Sequence, residues 1–83
     1  MWYIYVLYGL ADKKLYVGCT SNLEKRVKAH NSGFVKATKY RRPLKLIHKE
    51  QYKNKTEAFK RERFLKSLWG GRIKKKILKD YLG

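Results

Sequence analysis

The sequence contains few residues of several types whose presence would define other classes of protein. It has one cysteine, one proline and only six acidic residues among 83. A single cysteine, Cys19, cannot form an internal disulfide, which favours a reducing, cytoplasmic setting. Nothing near Cys19 resembles a zinc-binding or nucleophilic cysteine pattern. With so few acids, a metal site built from many carboxylates is disfavoured.

Long hydrophobic runs are also missing. The most apolar stretch covers the first eleven residues, which is far short of the roughly 20 residues that a membrane helix needs. No basic segment precedes it, so we expect neither a signal peptide nor a membrane span. The chain shows no internal repeat, linker or low-complexity tract. We therefore predict a single domain over residues 1–83.

Positive charge dominates what is present. The chain has 22 lysines and arginines and a formal net charge of +16, spread along its length. A composition of 43% hydrophobic and 14% aromatic residues is sufficient for a packed core and argues against a disordered basic tail. The charge fits nucleic acid, an anionic membrane, an acidic protein or solubility alone, and nucleic acid is favoured.

The N-terminal third predicts a β-hairpin. Residues 2–8 and 15–19 are rich in aromatic and β-branched side chains, and residues 9–14 form the turn between them. Side chains alternate between the two faces of a strand. Tyr16 and Gly18 therefore share one face of the second strand, and Tyr3, Tyr5 and Leu7 share one face of the first. If the two faces coincide, Tyr5 and Tyr16 lie side by side.

A helix is predicted to follow the hairpin. Ser21 and Glu24 fit a capping box, with Ser21 as the N-cap, and Gly33 lies just beyond the expected end near residue 31. Arg26 and His30 are four residues apart, so they lie about one turn apart on the same helical face. Such a polar stripe can contact a ligand.

A basic segment separates this helix from a third predicted strand. Residues 34–42 lack a clean period and fit a loop or short helix, and the strand covers residues 44–52 after Pro43. The segment is predicted to contact a phosphate backbone through four side chains, namely Lys36, Lys39, Arg41 and Arg42.

Two more helices are predicted towards the C-terminus. The first begins near Asn54 or Thr56 and continues to about residue 68, with Leu68 and Trp69 on its apolar face. Glu62 falls within that apolar stripe, and an acid on an inward-facing stripe needs a partner. After Gly70 and Gly71, residues 73–82 predict an amphipathic helix with lysines on its outer side.

These residues resemble the GIY-YIG nuclease superfamily over most of the chain. Residues 3–5 and 16–18 are similar to the paired tripeptides for which the family is named, although Tyr3 replaces the first glycine. The segments around Arg26 and His30 and around Glu62 resemble two helices of the family. Cys19 stands where some members carry a lysine. The chain is most similar to short stand-alone members related to the nuclease domain of the bacterial DNA-repair excinuclease.

The resemblance implies an α+β fold, with a small three-stranded antiparallel sheet flanked by helices in the order β-β-α-β-α-α. It also implies an endonuclease that hydrolyses nucleic acid, with DNA favoured, using Mg²⁺ or Mn²⁺. Tyr16 is then the base or base partner, Tyr5 its hydrogen-bonding companion and Arg26 the phosphate clamp. His30 is a second polar contact, and Glu62 is the metal ligand. A protein partner could supply substrate specificity.

Other interpretations of these residues stay open on the sequence. Tyr5 and Tyr16 can be strand aromatics that only pack, and Glu62 can pair with Lys66 one turn away or with Arg26 across the core. The chain can be a non-catalytic nucleic-acid-binding module on the same fold. It can also be a metal-free ribonuclease that uses His30 and His48 as an acid and base.

Overall fold

The structure is a computed structural model that describes residues 1–83. It contains three strands, three α-helices and two short 3-10 helices. In chain order these elements are β1 (Trp2–Gly9), β2 (Leu15–Thr20), α1 (Leu23–Ser32), a 3-10 helix (Lys36–Arg41), β3 (Leu44–Tyr52), α2 (Lys55–Lys66), a 3-10 helix (Leu68–Gly70) and α3 (Gly71–Leu82). The predicted α+β architecture and order of elements are confirmed.

The three strands form one antiparallel sheet in the order β2-β1-β3. β1 lies in the centre, and its side chains from Ile4 to Tyr8 are buried because helices cover both faces of the sheet. β2 and β3 are the two edges. Alternation along β1 therefore sends successive side chains into two separate layers.

The two layers have different character. On one face, Ile4, Val6 and Val17 pack with residues of α2 and α3 to form the larger apolar cluster. On the other face, Tyr5 and Leu7 form a smaller cluster, which is lined by residues of α1. The smaller cluster carries the polar side chains that concern function.

Asparagine side chains begin both amphipathic helices that follow a strand. Asn54 Oδ1 accepts the Glu57 N–H at 2.8 Å, so Asn54, one of the two predicted starts, is the N-cap of α2. The prediction of Ser21 as the N-cap of α1 is wrong, because Asn22 Oδ1 accepts the Lys25 N–H at 3.1 Å. The start of α1 is thus shifted by one residue.

The end of α2 also differs from the prediction. The helix ends at Lys66, and Ser67 leaves the helical conformation with φ −81° and ψ 171°. The helical period is lost there, so Leu68 and Trp69 do not continue the apolar stripe and are exposed to solvent. The predicted core role of these two residues is therefore wrong. No helix of the structure combines the length and apolar character that crossing a bilayer requires.

An ionic cluster holds α2 against β3. Arg61 on α2 donates two hydrogen bonds to the Glu50 carboxylate, from Nε at 2.9 Å and from a terminal nitrogen at 3.0 Å. His48 and Tyr52 contact the same carboxylate at 2.9 and 2.8 Å. Burial raises the pKa of Glu50, but these hydrogen bonds outweigh it and lower the pKa to about 2.

We expect this carboxylate to make stability fall in acid. The folded-state pKa of Glu50 lies below its ordinary value of 4.5, so its contribution is complete above that pH and is lost as the pH falls towards 2. The variant Glu50→Gln should lower the free energy of unfolding at pH 7 by about 2 kcal/mol. Urea denaturation at pH values from 7 to 2 measures this, and the variant should show a flatter acid dependence. Parallel curves for the two proteins would contradict the assignment.

Candidate active site

The hairpin brings two tyrosines together on the face covered by α1. Tyr5 pairs with Gly18, and Leu7 pairs with Tyr16, so the two tyrosines are diagonal neighbours across β1 and β2. Their ring centroids are 6.4 Å apart with an interplanar angle of 33°. The side-by-side arrangement expected from strand alternation is present.

Gly18 gives the Tyr5 ring room to lie against β2. A Cβ atom at Gly18 would lie 2.2 Å from the Tyr5 Oη atom and 2.3 Å from its Cζ atom. No real contact is that short, so any larger residue would displace the phenol. Glycine at this position therefore fixes where the Tyr5 hydroxyl can be.

A buried chain of hydrogen bonds connects Tyr5 to the segment after α1. The Tyr5 hydroxyl lies 3.0 Å from His30 Nε2, and His30 Nδ1 lies 2.8 Å from Thr38 Oγ1. His30 and Thr38 are both fully buried. The Thr38 hydroxyl has one proton, which the Val35 carbonyl can accept at 3.5 Å. We therefore assign His30 Nδ1–H as the donor to Thr38 and Nε2 as the acceptor from Tyr5.

The electrostatics agree with this direction of hydrogen bonding. Burial raises the pKa of Tyr5 far above its ordinary value, and the neighbouring Tyr16 raises it further. Burial lowers the pKa of His30, and the positive charges of Arg26 and Arg41 lower it further. At neutral pH the Tyr5 phenol is thus protonated and the His30 imidazole is uncharged. The centroid of the Tyr16 ring lies 4.8 Å from that of the His30 imidazole, so Tyr16 packs against the same imidazole that Tyr5 contacts.

Glu62 lies on α2, which packs on the face of the sheet opposite to His30. It approaches the tyrosines beside the edge strand β2. Its Oε2 atom lies 3.2 Å from Lys66 Nζ, and Lys66 Nζ lies 5.9 Å from the centroid of the Tyr16 ring. The negative charge of Glu62 also raises the pKa of Tyr5 and, after burial, that of Cys19. The ion pair with Lys66 that the sequence allows is therefore present, and the charge of Glu62 also acts on Tyr5. The role of Glu62 as a metal ligand stays a prediction.

The donor atoms at Glu62 suit only one kind of metal ion. A carboxylate is a hard oxygen ligand, and nowhere does the chain gather three or more histidine, cysteine or acidic side chains. Such a site matches a hard cation such as Mg²⁺, which needs one or two protein carboxylates and takes its other ligands from water and phosphate. The metal and the Lys66 ammonium would compete for the same carboxylate.

Arg26 lies on α1, one turn before His30, and its side chain is available to a ligand. The residue is exposed, and its hydrogen bond within the chain is the backbone one to the Asn22 carbonyl, which leaves the guanidinium free. Its charge is nevertheless close enough to shift the pKa values of Tyr5 and His30. A planar guanidinium in this position matches the geometry of phosphate oxygens.

The four basic side chains of the segment after α1 differ in their contacts. Lys36 and Lys39 are exposed. Arg41 forms an ion pair with Asp12 at 2.6 Å and donates to the Leu15 carbonyl at 3.1 Å, so its guanidinium braces the hairpin. Arg42 donates to the Lys39 carbonyl at 2.8 Å through Nε only. Lys36, Lys39 and Arg42 therefore retain groups for an external anion, whereas Arg41 is largely committed to internal contacts.

His48 is separated from His30 by the sheet. It pairs with Val6, which packs in the larger apolar cluster, and its imidazole contacts Glu50. His30 lies on the other face against Tyr5. The two histidines therefore do not form the acid and base pair that a metal-free ribonuclease would need.

Sequence patterns did not single out Thr38 as part of this site. It lies eight residues after His30 in the irregular segment, and no local period or motif distinguishes it from nearby polar residues. Its role becomes visible only through its buried contact with the imidazole.

Comparison with known proteins agrees with the fold. Residues 1–75 match the model of the GIY-YIG catalytic domain, so the chain belongs to the GIY-YIG family.

Within that family the chain is similar to UPF0213 proteins. It is 49% identical to UPF0213 protein CPE1444 of Clostridium perfringens over 67 residues, which cover 80% of this chain and 71% of the relative. It is 44% identical to UPF0213 protein NP_0776A of Natronomonas pharaonis over 77 residues, covering 92% and 87%. The solution NMR structure of UPF0213 protein BH0048 from Bacillus halodurans aligns with a TM-score of 0.56 and 31% identity, covering 95% of this chain and 84% of that one. The names of these relatives state no activity.

Proposed function

We propose that this protein is an endonuclease that hydrolyses phosphodiester bonds of nucleic acid, DNA in the first instance, with a divalent metal held by Glu62. The observation that carries the proposal is the contact of two phenols with a buried imidazole, together with the charges of the Arg26 guanidinium and the Glu62 carboxylate, which act on the Tyr5 phenol of the same group. The net charge of +16 supports a polyanionic substrate.

Each side chain has a role that follows from its contacts. Arg26 binds the phosphate and offsets the negative charge that develops in the transition state. Tyr16 orients the attacking water through Oη and, in its phenolate form, takes one proton from that water to become the neutral phenol, while the hydroxide that remains attacks the phosphorus. Tyr5 stays protonated and donates a hydrogen bond to His30 Nε2, which holds the Tyr5 ring against Tyr16. Tyr5 is accordingly a positioning residue. Lys66 contributes positive charge beside the Tyr16 ring.

Glu62 would hold the cation. When bound, a divalent cation at this carboxylate supplies charge to the phosphoryl oxygens and activates a water molecule. The same carboxylate is paired with Lys66 in the structure, so the ammonium would have to move aside for Glu62 to hold a cation. Until then the ion pair holds the Glu62 carboxylate in position.

The variant Tyr16→Phe tests the proposed base. It removes only the Oη atom, so the fold should persist while cleavage falls by at least about tenfold, which is near the low end for loss of a general base. The assay is incubation of purified protein with supercoiled plasmid, branched DNA and structured RNA, with Mg²⁺ or Mn²⁺ and with chelator. Wild-type rates from Tyr16→Phe would show that this hydroxyl is not the base.

The variant Thr38→Val tests the buried hydrogen-bond chain. It keeps the shape of the side chain but leaves the His30 Nδ1–H without an acceptor, so the free energy of unfolding should fall by about 1–3 kcal/mol. Thr38→Ser keeps the hydroxyl and should restore the imidazole tautomer, which ¹⁵N chemical shifts of His30 report. A valine variant with unchanged His30 shifts and unchanged stability would contradict this role.

A non-catalytic nucleic-acid-binding module is the second candidate function. The observation that favours it is the Glu62–Lys66 ion pair, which satisfies the carboxylate without any metal. Binding would then depend steeply on salt, because each phosphate contact releases counterions. Binding of the same substrates without cleavage in Mg²⁺ or Mn²⁺ would select this function.

A further inference from the structure

Two apolar side chains protrude from the turn between α2 and α3. Leu68 is 99% exposed and Trp69 is 81% exposed, although both are large enough to contribute substantially to a core. We call the 3-10 helix Leu68–Gly70 the tip. Leaving a leucine and a tryptophan in water contributes nothing to folding, so the tip requires another explanation.

The tip is held firmly in place by Gly70. This residue is buried, and a Cβ atom there would lie 2.5 Å from both the Cα and the carbonyl oxygen of Leu65. The backbone of the tip therefore packs directly on α2, and the close approach directs the side chains of Leu68 and Trp69 to solvent. Exposure of these side chains is a property of the packed turn.

Positive charge surrounds the tip in the sequence on both sides. Arg63 and Lys66 occupy the last turn of α2, and Arg72 lies in the first turn of α3 and is followed by Lys74, Lys75 and Lys76. The nearest acid before the tip is Glu62, which is already paired with Lys66. Apolar side chains flanked by cations are complementary to a polyanion that also offers flat aromatic surface, which is the chemistry of a nucleic-acid strand.

The tip is also close to the candidate active site along the chain. Lys66 is two residues before Leu68, and its ammonium lies 3.2 Å from Glu62 Oε2 and 5.9 Å from the centroid of the Tyr16 ring. Lys66 therefore connects the tip to the candidate active site, since the tip begins two residues after the side chain that contacts Glu62.

We propose that the tip stacks on unpaired nucleobases next to the phosphodiester bound at the candidate active site, with Trp69 as the stacking surface. This inference rests on the proposed function and adds a substrate class to it, namely strands with unpaired bases, such as branches, flaps and single-stranded ends. Paired bases in the middle of a duplex have no free face to offer the indole.

Tryptophan fluorescence provides a direct test. The chain has two tryptophans, and the other one, Trp2, packs edge-on against Phe59 with centroids 6.1 Å apart. In Trp2→Phe, Trp69 is the sole indole. We expect a single-stranded oligonucleotide, added in chelator to prevent cleavage, to quench its emission. Heparin, which has charge but no bases, should quench it much less. Equal quenching by both would overturn the proposal, as would a larger blue shift with anionic phosphatidylglycerol vesicles.

Affinity measurements on Trp69 variants separate this inference from the proposed function. Trp69→Ala should weaken binding of a fluorescein-labelled single strand by at least about fivefold, while Trp69→Phe keeps most of the affinity. Thermal unfolding should be unchanged, because the indole makes few contacts. Unchanged affinity of Trp69→Ala overturns the role of the tip. If the wild type nevertheless cleaves plasmid, the proposed function stands. Loss of both wild-type binding and wild-type cleavage overturns both.

Discussion

Glu62→Gln is expected to reduce divalent-dependent cleavage by at least about 100-fold while affinity for the nucleic acid measured in chelator is nearly unchanged. The substitution keeps the size of the side chain but replaces an anionic oxygen ligand with a neutral amide. It also frees the Lys66 ammonium, which lies 3.2 Å from the carboxylate in the wild-type protein. Binding should therefore be kept or slightly strengthened, because the surface becomes more positive.

Glu57→Gln is the matched control for this experiment. It makes the same chemical change on the same helix, but Glu57 lies in the exposed first turn of α2, away from the hairpin tyrosines. Cleavage by this variant should equal that of the wild type. Undiminished cleavage by Glu62→Gln, or equal losses in both variants, would remove Glu62 from the metal site.

Gly18→Ala is expected to cause the largest loss of stability of any single methyl addition in the hairpin. The added Cβ atom would lie 2.2 Å from the Tyr5 Oη atom, and Tyr5 is buried and hydrogen-bonded to His30. Moving that ring disrupts a packed core and a buried hydrogen bond, which together cost about 3 kcal/mol or more. Chemical denaturation measures the change, and cleavage should fall with it.

Gly71→Ala adds the same methyl group but is expected to stabilise the protein. No heavy atom lies within 4 Å of a Cβ atom at Gly71, and the residue has helical dihedral angles in the first turn of α3. Alanine there should raise the free energy of unfolding by about 0.5 kcal/mol. Similar destabilisation at both positions would contradict the role given to the Tyr5 contact, because Gly18, like Gly71, has no positive φ that would itself require glycine.

The parts of the fold that sequence reasoning could predict are those with strong local patterns. Period-2 alternation in the hairpin predicts that Tyr5 and Tyr16 lie side by side if the two strand faces coincide, and the observed register makes them coincide. The predicted start of α1 is wrong by one residue, because Ser21 and Asn22 are both good N-cap residues. The Thr20 hydroxyl accepts the Asn22 N–H at 3.1 Å, and this contact selects Asn22.

The features that could not be predicted depend on contacts between distant residues. Tyr5 and His30 are 25 residues apart in sequence, and their hydrogen bond depends on how α1 packs across the sheet. Thr38 carries no pattern of its own. Helical periodicity that continues past residue 66 predicts Trp69 on an apolar stripe, but Ser67 turns the chain out of the helix. Tertiary packing decides such positions, and local propensity does not.

Arg61 and Glu62 are consecutive on α2, and they connect this helix to the two edge strands of the sheet. Arg61 is anchored to Glu50 on β3, while Glu62 projects beside β2, because neighbouring residues of a helix point about 100° apart. The anchor therefore sets the rotation of the helix that aims Glu62. Acid that protonates Glu50 should misdirect the Glu62 carboxylate before the chain unfolds, so hydrolysis would be lost at a higher pH than the native fold.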